Sequence, residues 1–202
     1  MKRNAADNKL LSDQVSAFEI AVIRRELQKV IQSDISGDVV EFGCYLGTTS
    51  VFLARDLSET KRQLWLYDSF EGLPEKDSVD QNALGIDFKA GELSATRRQL
   101  MQNLQKAKPY QTEIRVKKAW FSDLTADDLP EEIAFAFLDG DFYQSIRRPL
   151  ELIWPRLATN AIVVVDDYQN EALPGAQRAV DEWIDKYPRA LKIESSLAIF
   201  TK

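Results

Sequence analysis

"AFAFLDGDFYQS" (residues 134–145) and "AIVVVDDYQN" (161–170) are both apolar runs that end on aspartates. A short continuous apolar run bounded by turn residues reads as a strand buried on both faces, the kind that fills a parallel sheet covered by helices. Working outward, "DVVEFG" (38–43), "QLWLYD" (63–68) and "TEIRVKKA" (112–119) read as further strands. The full acidic-ended strands are "EIAFAFLD" (132–139) and "AIVVVDD" (161–167). Helical spacing of apolar residues predicts helices over 10–32, 46–57, 95–107, 145–157 and 175–187, the fourth with Pro149 in its first turns. The last two runs, 190–195 and 197–202, are close enough to pair as an antiparallel hairpin. Strands alternating with helices predict an α/β, doubly wound, mostly parallel seven-stranded sheet. Residues 1–202 are expected to form a single domain, with 1–35 as a helical flank or lid. The polar loop 69–94 is too long to be a plain connection and is expected to border the active site.

Composition narrows the function. Apolar residues make up 45% and charged residues 29% of 202, the balance of an ordinary globular protein. The net charge of −6, with no block of Lys and Arg, lacks the footprint of a nucleic-acid binder. No apolar run is long enough to span a bilayer, and "MKRNAADNKL" has no apolar core of a signal peptide, so a cytoplasmic location is expected, with no membrane partner. The single Cys44 rules out an intrachain disulfide. There is no histidine, which removes Ser-His-Asp and Cys-His triads and HExxH zinc sites. Chemistry must then rest on carboxylates, Lys, Tyr, a metal or a cofactor.

In a doubly wound sheet, ligands bind beyond the carboxyl ends of the strands. "EFGCYLGTTS" places Gly43 and Gly47 around a turn into a helix, a geometry that lets backbone approach a ligand. It fits neither the dinucleotide GxGxxG nor the phosphate-binding GxxxxGK[ST] pattern, and by itself is equally a sharp turn with no ligand. Glu41 lies within the apolar strand, where a carboxylate needs a cationic ligand or loop N–H groups. Asp68 ends the second strand, where a nucleoside ribose is held, or where a helix cap stands. Asp139, Asp141, Asp166 and Asp167 end two strands that are expected to be neighbours. Carboxylates crowded together repel unless a cation holds them, and hard oxygen ligands suit Mg²⁺, Ca²⁺ or Mn²⁺; the alternative is that these aspartates are caps and loop residues. Tyr143 and Tyr168 read as packing beside this edge.

"VVEFGCYLGTTS", "LYDSFEGLP", "AFLDGDFYQS", "VVVDDYQ" and "GAQRAVDEW" together resemble the macrocin-type O-methyltransferases, bacterial macrolide and aminocoumarin sugar methyltransferases. The resemblance spans residues 38–187 and implies the class I methyltransferase (Rossmann-like) fold, S-adenosylmethionine and Mg²⁺. It implies that Glu41, Gly43, Tyr45, Gly47, Thr48 and Ser50 surround the methionine end of the cofactor. Asp68 and Ser69 would hold the ribose, and Trp120, Phe121 and Ser122 border the adenine. Asp139, Asp166 and Asp167 would bind the metal, with Asp139 also the general base and in contact with the cofactor. Catechol-type relatives carry a Lys three residues after the first metal aspartate; Phe142 stands there, which argues against a lysine base. "ATNAIVV" lacks the paired glycines usual before this strand.

The expected partner is a small-molecule hydroxyl acceptor, a vicinal diol, sugar or other natural product. A homodimer is expected from the base rate of symmetric assemblies. Two alternatives share the scaffold: a hydroxylase-like enzyme, and a non-catalytic protein that binds S-adenosylmethionine or metal.

Overall fold

The computed structural model describes residues 10–202; residues 1–9 of the expected 1–35 flank lie outside the described residues. Helix α1 (Ala17–Gln32) starts later than its apolar spacing predicts, because Ser16 and Glu19 form a reciprocal capping box. The Ser16 hydroxyl accepts the Glu19 N–H at 3.2 Å, and Glu19 Oε2 accepts the Ser16 N–H at 2.8 Å. The non-helical segment ahead of the cap lies against the next helix, where the Leu11 N–H donates to Thr48 Oγ1 at 3.3 Å.

The remaining helices are α2 (Thr48–Asp56), α3 (Arg97–Lys106), α4 (Tyr143–Ile153) and α5 (Pro174–Lys186). The strands are β1 (Asp38–Phe42), β2 (Leu64–Asp68), β3 (Ile114–Lys118), β4 (Ile133–Leu138), β5 (Leu157–Val165), β6 (Lys192–Glu194) and β7 (Leu197–Thr201). They form one sheet in the order β3-β2-β1-β4-β5-β7-β6. All neighbours are parallel except β7, which runs antiparallel to both β5 and β6. The closing hairpin is therefore present and inserts β7 next to β5.

Alternation along the strands splits the core into two layers. Val39, Leu66, Phe135, Phe137 and Val164 pack with α1, α2 and α3 on one face. Val40, Tyr67, Ala136, Leu138 and Val165 pack with α4 and α5 on the other. All six residues of β4 are buried, as its unbroken apolar run requires.

Two further departures from the sequence reading bear on the site. β5 begins at Leu157, not residue 161: Asn160 adopts φ 64 and the β4 pairing slips between Ile133 and Phe135, so an irregular stretch stays in the sheet without glycines. α4 begins at Tyr143, so Pro149 lies inside the helix rather than in its first turns. Pro149 has no N–H for the Ser145 carbonyl. That carbonyl faces Gly140, where a Cβ would stand 2.5 Å away. No described helix is long and apolar enough to cross a membrane.

Candidate active site

Strand order reverses around β1, so the ends of β1 and β4 open the crevice where this architecture binds ligands. A cleft of about 490 Å³ lies there. Its first wall is the glycine turn. Gly43, Tyr45 and Gly47 have φ of 86°, 45° and 86°. A Cβ on Gly43 would stand 1.8 Å from the Asp139 carbonyl oxygen, and one on Gly47 would stand 2.5 Å from Leu100 Cδ1. The glycines thus let β1 close against β4 and let α2 close against α3.

Asp68 holds this turn from outside. Its Oδ2 accepts the Cys44 and Tyr45 N–H groups at 2.8 and 3.0 Å, and its Oδ1 accepts the Phe70 N–H at 2.6 Å. A carboxylate offers about four lone-pair sites, so one remains on Oδ1. Asp68 lines the cleft. Glu41 lies behind the turn, 1% exposed. Burial pushes its carboxyl up to about 8, nearby Asp68 adds to this, and the facing Ser50 pulls the other way. Among the described residues, Glu41 Oε2 has no hydrogen-bond partner.

The Glu41 shift has a consequence for stability. Below the ordinary value of 4.5 the group is protonated folded and unfolded, and no penalty arises. From there to about 8 only the unfolded chain releases the proton, so stability falls with rising pH by up to ~1.4 kcal/mol per unit. Glu41→Gln should remove that component. Urea unfolding of both proteins at pH 5 and pH 8 should show the variant gaining on the wild type by a few kcal/mol at the higher pH. An equal gap at both values would contradict a buried neutral carboxyl.

The floor of the cleft is acidic. Oxygens of Asp139, Asp141 and Asp167 all come within 4.8 Å of one another. Asp141 and Asp167 have φ of 63° and 58°, a left-handed backbone that Asp tolerates better than most residues and that turns both carboxylates off their strand ends. Burial, then the charges of Asp166, Asp141 and Asp167, hold the Asp139 carboxyl well above its ordinary range. Burial, then Asp167 and Asp166, do the same for Asp141. Asn170 steadies Asp167, donating to its Oδ1 at 2.8 Å.

Asp166 lies beside this cluster, with one of its two oxygens hydrogen-bonded. Its Oδ1 accepts from the Ser196 hydroxyl at 2.9 Å and from the Asp167 N–H at 2.8 Å. Burial and Asp167 raise its carboxyl to about 7. The structure therefore gathers Asp139, Asp141 and Asp167 in one cluster, with Asp166 beside it.

Of the other anticipated residues, Gly43, Tyr45, Asp68, Ser69, Trp120, Phe121 and Ser122 line the cleft with Asp139. Glu41, Gly47, Thr48 and Ser50 do not; Thr48 contacts the N-terminal segment through Leu11 and Ser12. Phe121 stands edge-on to Phe42 at 5.4 Å between ring centroids, which fixes the aromatic wall. Tyr143 and Tyr168 bond Glu182 and Asp181 through their hydroxyls, a packing role. Loop 69–94 covers the cleft with Leu73, Phe88 and Leu93. The sequence reading missed Asp13 and Gln14 ahead of the α1 cap, and also Arg148. The only signal for Arg148 was its helical spacing from Gln144 and Ser145, which share the wall.

A seven-stranded sheet with an inserted antiparallel β7, and a glycine turn facing an acidic floor, define the class I methyltransferase fold. The fold of the O-methyltransferase NovP matches over 93% of this chain and 81% of that one, with a TM-score of 0.78 at 24% identity. The chain belongs to the macrocin-O-methyltransferase (TylF) family, which residues 15–198 match. It is 30% identical over 168 residues to the 8-demethyl-8-(2,3-dimethoxy-alpha-L-rhamnosyl)-tetracenomycin-C 4'-O-methyltransferase of Streptomyces olivaceus, covering 80% of this chain and 63% of that protein. The demethyldecarbamoylnovobiocin O-methyltransferase of Streptomyces niveus is 26% identical, covering 82% of this chain and 64% of that protein. The chain thus spans a little under two thirds of the length of these relatives.

Proposed function

We propose that this chain is an S-adenosylmethionine-dependent O-methyltransferase acting on a hydroxyl of a small natural product, a sugar or other vicinal diol, with Mg²⁺ or another divalent cation at the acidic floor. The observation that carries this reading is one cleft with the glycine turn at one wall and three convergent carboxylates at its floor.

The residues fit both groups. The acceptor left on Asp68 at the cleft wall suits a cofactor hydroxyl, and an all-carboxylate donor set suits a hard divalent cation. S-adenosylmethionine supplies an activated sulfonium methyl, and a divalent cation supplies the charge that makes an acceptor hydroxyl more acidic. Asp139, Asp141 and Asp167 would hold the cation, with the charge of Asp166 alongside. The spare lone pair of Asp68 suits a ribose hydroxyl, and Trp120–Ser122 border the adenine. Asp139 takes the proton of the acceptor hydroxyl on a carboxylate oxygen. Phe142, 2% exposed and packed with Leu73 and Leu173, leaves no room for a lysine base. The apolar loop residues limit water around the transferred methyl, and the walls orient the hydroxyl for in-line attack. A cytoplasmic setting belongs to the same reading, as does a homodimer by the base rate of symmetric assemblies.

Calorimetric titration with S-adenosylmethionine, with and without Mg²⁺, tests it. Micromolar binding is expected in the wild type. Asp68→Ala should weaken it roughly tenfold to hundredfold, since the Cys44, Tyr45 and Phe70 N–H groups lose their acceptor together with the one offered to the ribose. Absence of binding heat from the folded wild type would overturn the proposal.

A further inference from the structure

α4 and α5 directly follow the two acidic strand ends. Among the described residues neither has a side-chain cap from its own N-cap position, which is Phe142 in one and Leu173 in the other. The first N–H groups of a helix have no partner within the helix. At α4 the partner comes from far away in sequence: Asp80 Oδ1 accepts the Tyr143 N–H at 2.7 Å.

Asp80 ends the 3₁₀ turn Ser78–Asp80 in the 69–94 loop and is 2% exposed. The same oxygen also fills the start of α5, where a Cβ on Gly175 would stand 1.7 Å from it. One carboxylate thus lies between two helix N-termini, each of which favours negative charge. Asn82 adds a second tie, donating to the carbonyls of Ala172 and Ile86 at 2.9 and 2.8 Å. Leu73, Phe88 and Leu93 of the loop pack on Phe142 and Leu173 from the same two helix starts. Tyr143 is two residues beyond Asp141, whose left-handed backbone leads into the helix.

We propose that Asp80 is a positioning residue that latches the 69–94 loop to the first turns of α4 and α5, so that closing the loop over the cleft sets Asp141 in the acidic cluster. The functional meaning rests on the methyltransferase reading; the geometry does not. Opening the loop withdraws the cap of α4 and loosens the turn that aims Asp141. Closing it restores both at once. The cluster is therefore complete only when the apolar loop covers it.

Amide hydrogen exchange on the full chain tests the latch. In Asp80→Ala, the 69–94 segment and the Tyr143–Ile146 amides should accelerate together, by roughly tenfold for loss of a cap. Asp80→Asn keeps the acceptor oxygen and should stay within a few-fold of wild type. Gly175→Ala would ordinarily suit a helix, yet its methyl displaces the Asp80 carboxylate and should reproduce Asp80→Ala. A loop that loosens while Tyr143–Ile146 stays protected would overturn the proposal, as would a Gly175→Ala protein that exchanges like wild type. The same proteins are titrated with S-adenosylmethionine. Binding by the wild type alongside unchanged Tyr143–Ile146 exchange in Asp80→Ala overturns the latch alone. Failure of wild type to bind overturns the methyltransferase reading and leaves the exchange result standing.

Discussion

Asp139→Asn is expected to lower methyl transfer by about a thousandfold or more while leaving S-adenosylmethionine binding within a few-fold of wild type. The amide is nearly the same shape but cannot take a proton at neutral pH, and general-base catalysis contributes roughly 10²–10⁴. It also removes a negative charge from a site built for a cation. The fold should gain from the same change. The Asp139 carboxyl is held above its ordinary 3.8 by burial and by Asp166, Asp141 and Asp167. In the metal-free protein this costs stability from about that pH upward, increasingly as pH rises toward the folded value. The variant should therefore melt higher than wild type, by a wider margin at pH 8 than at pH 5. Release of S-adenosylhomocysteine against a panel of sugar and phenolic diols, together with thermal unfolding at both pH values, reads both effects. Full activity in the variant would remove Asp139 from the mechanism, and a margin independent of pH would remove the account of its strain.

Gly43→Ala is expected to be among the most damaging added methyls at the described glycines. Its φ of 86° is a left-handed conformation, and its Cβ would overlap the Asp139 carbonyl oxygen at 1.8 Å. Backbone cannot swing aside as a side chain does, so β1 and β4 must part where the Asp139 N–H donates to the Phe42 carbonyl at 2.8 Å. Strain and overpacking together amount to about 3–5 kcal/mol, or a fall in melting temperature of roughly 8–16 °C for a chain of this size. Cofactor and cation binding should fail together, because the turn and Asp139 move as one. Gly85→Ala supplies the control: its φ of 70° is also left-handed, but nothing lies within 4 Å of the added carbon. It should cost only about 1–2 kcal/mol. Equal destabilisation by the two substitutions would show that conformation alone, and not close approach of the strands, makes Gly43 a glycine.

The aspartates show how far local reading reaches. "DGD" and "DD" after apolar runs mark two strand ends, and parallel pairing of β4 with β5 makes them neighbours. Which oxygens meet is another matter. Asp141 enters the cluster through a positive φ that no residue pattern announces, while one oxygen of Asp166 is hydrogen-bonded by Ser196, 30 residues on, in the turn between β6 and β7. Asp68 is similar. Its place at the end of β2 was legible, and the Phe70 N–H is a local donor two residues on, but the Cys44 and Tyr45 donors became visible only when the β1 turn folded against it. The late start of α1 is a different kind of miss, since Ser16 and Glu19 carry the capping signal openly and apolar spacing alone ran past it.

The sequence by itself determined the layered sheet, the order of its elements and the strand ends at which chemistry is placed, because burial of a strand or helix face is written in the period of its own residues. The tertiary structure alone decided which carboxylates converge, that Asp68 pins the glycine turn, and that Asp80 caps a helix 63 residues away. Those contacts depend on register, on left-handed backbone at single positions, and on the approach of segments with no local signal for one another.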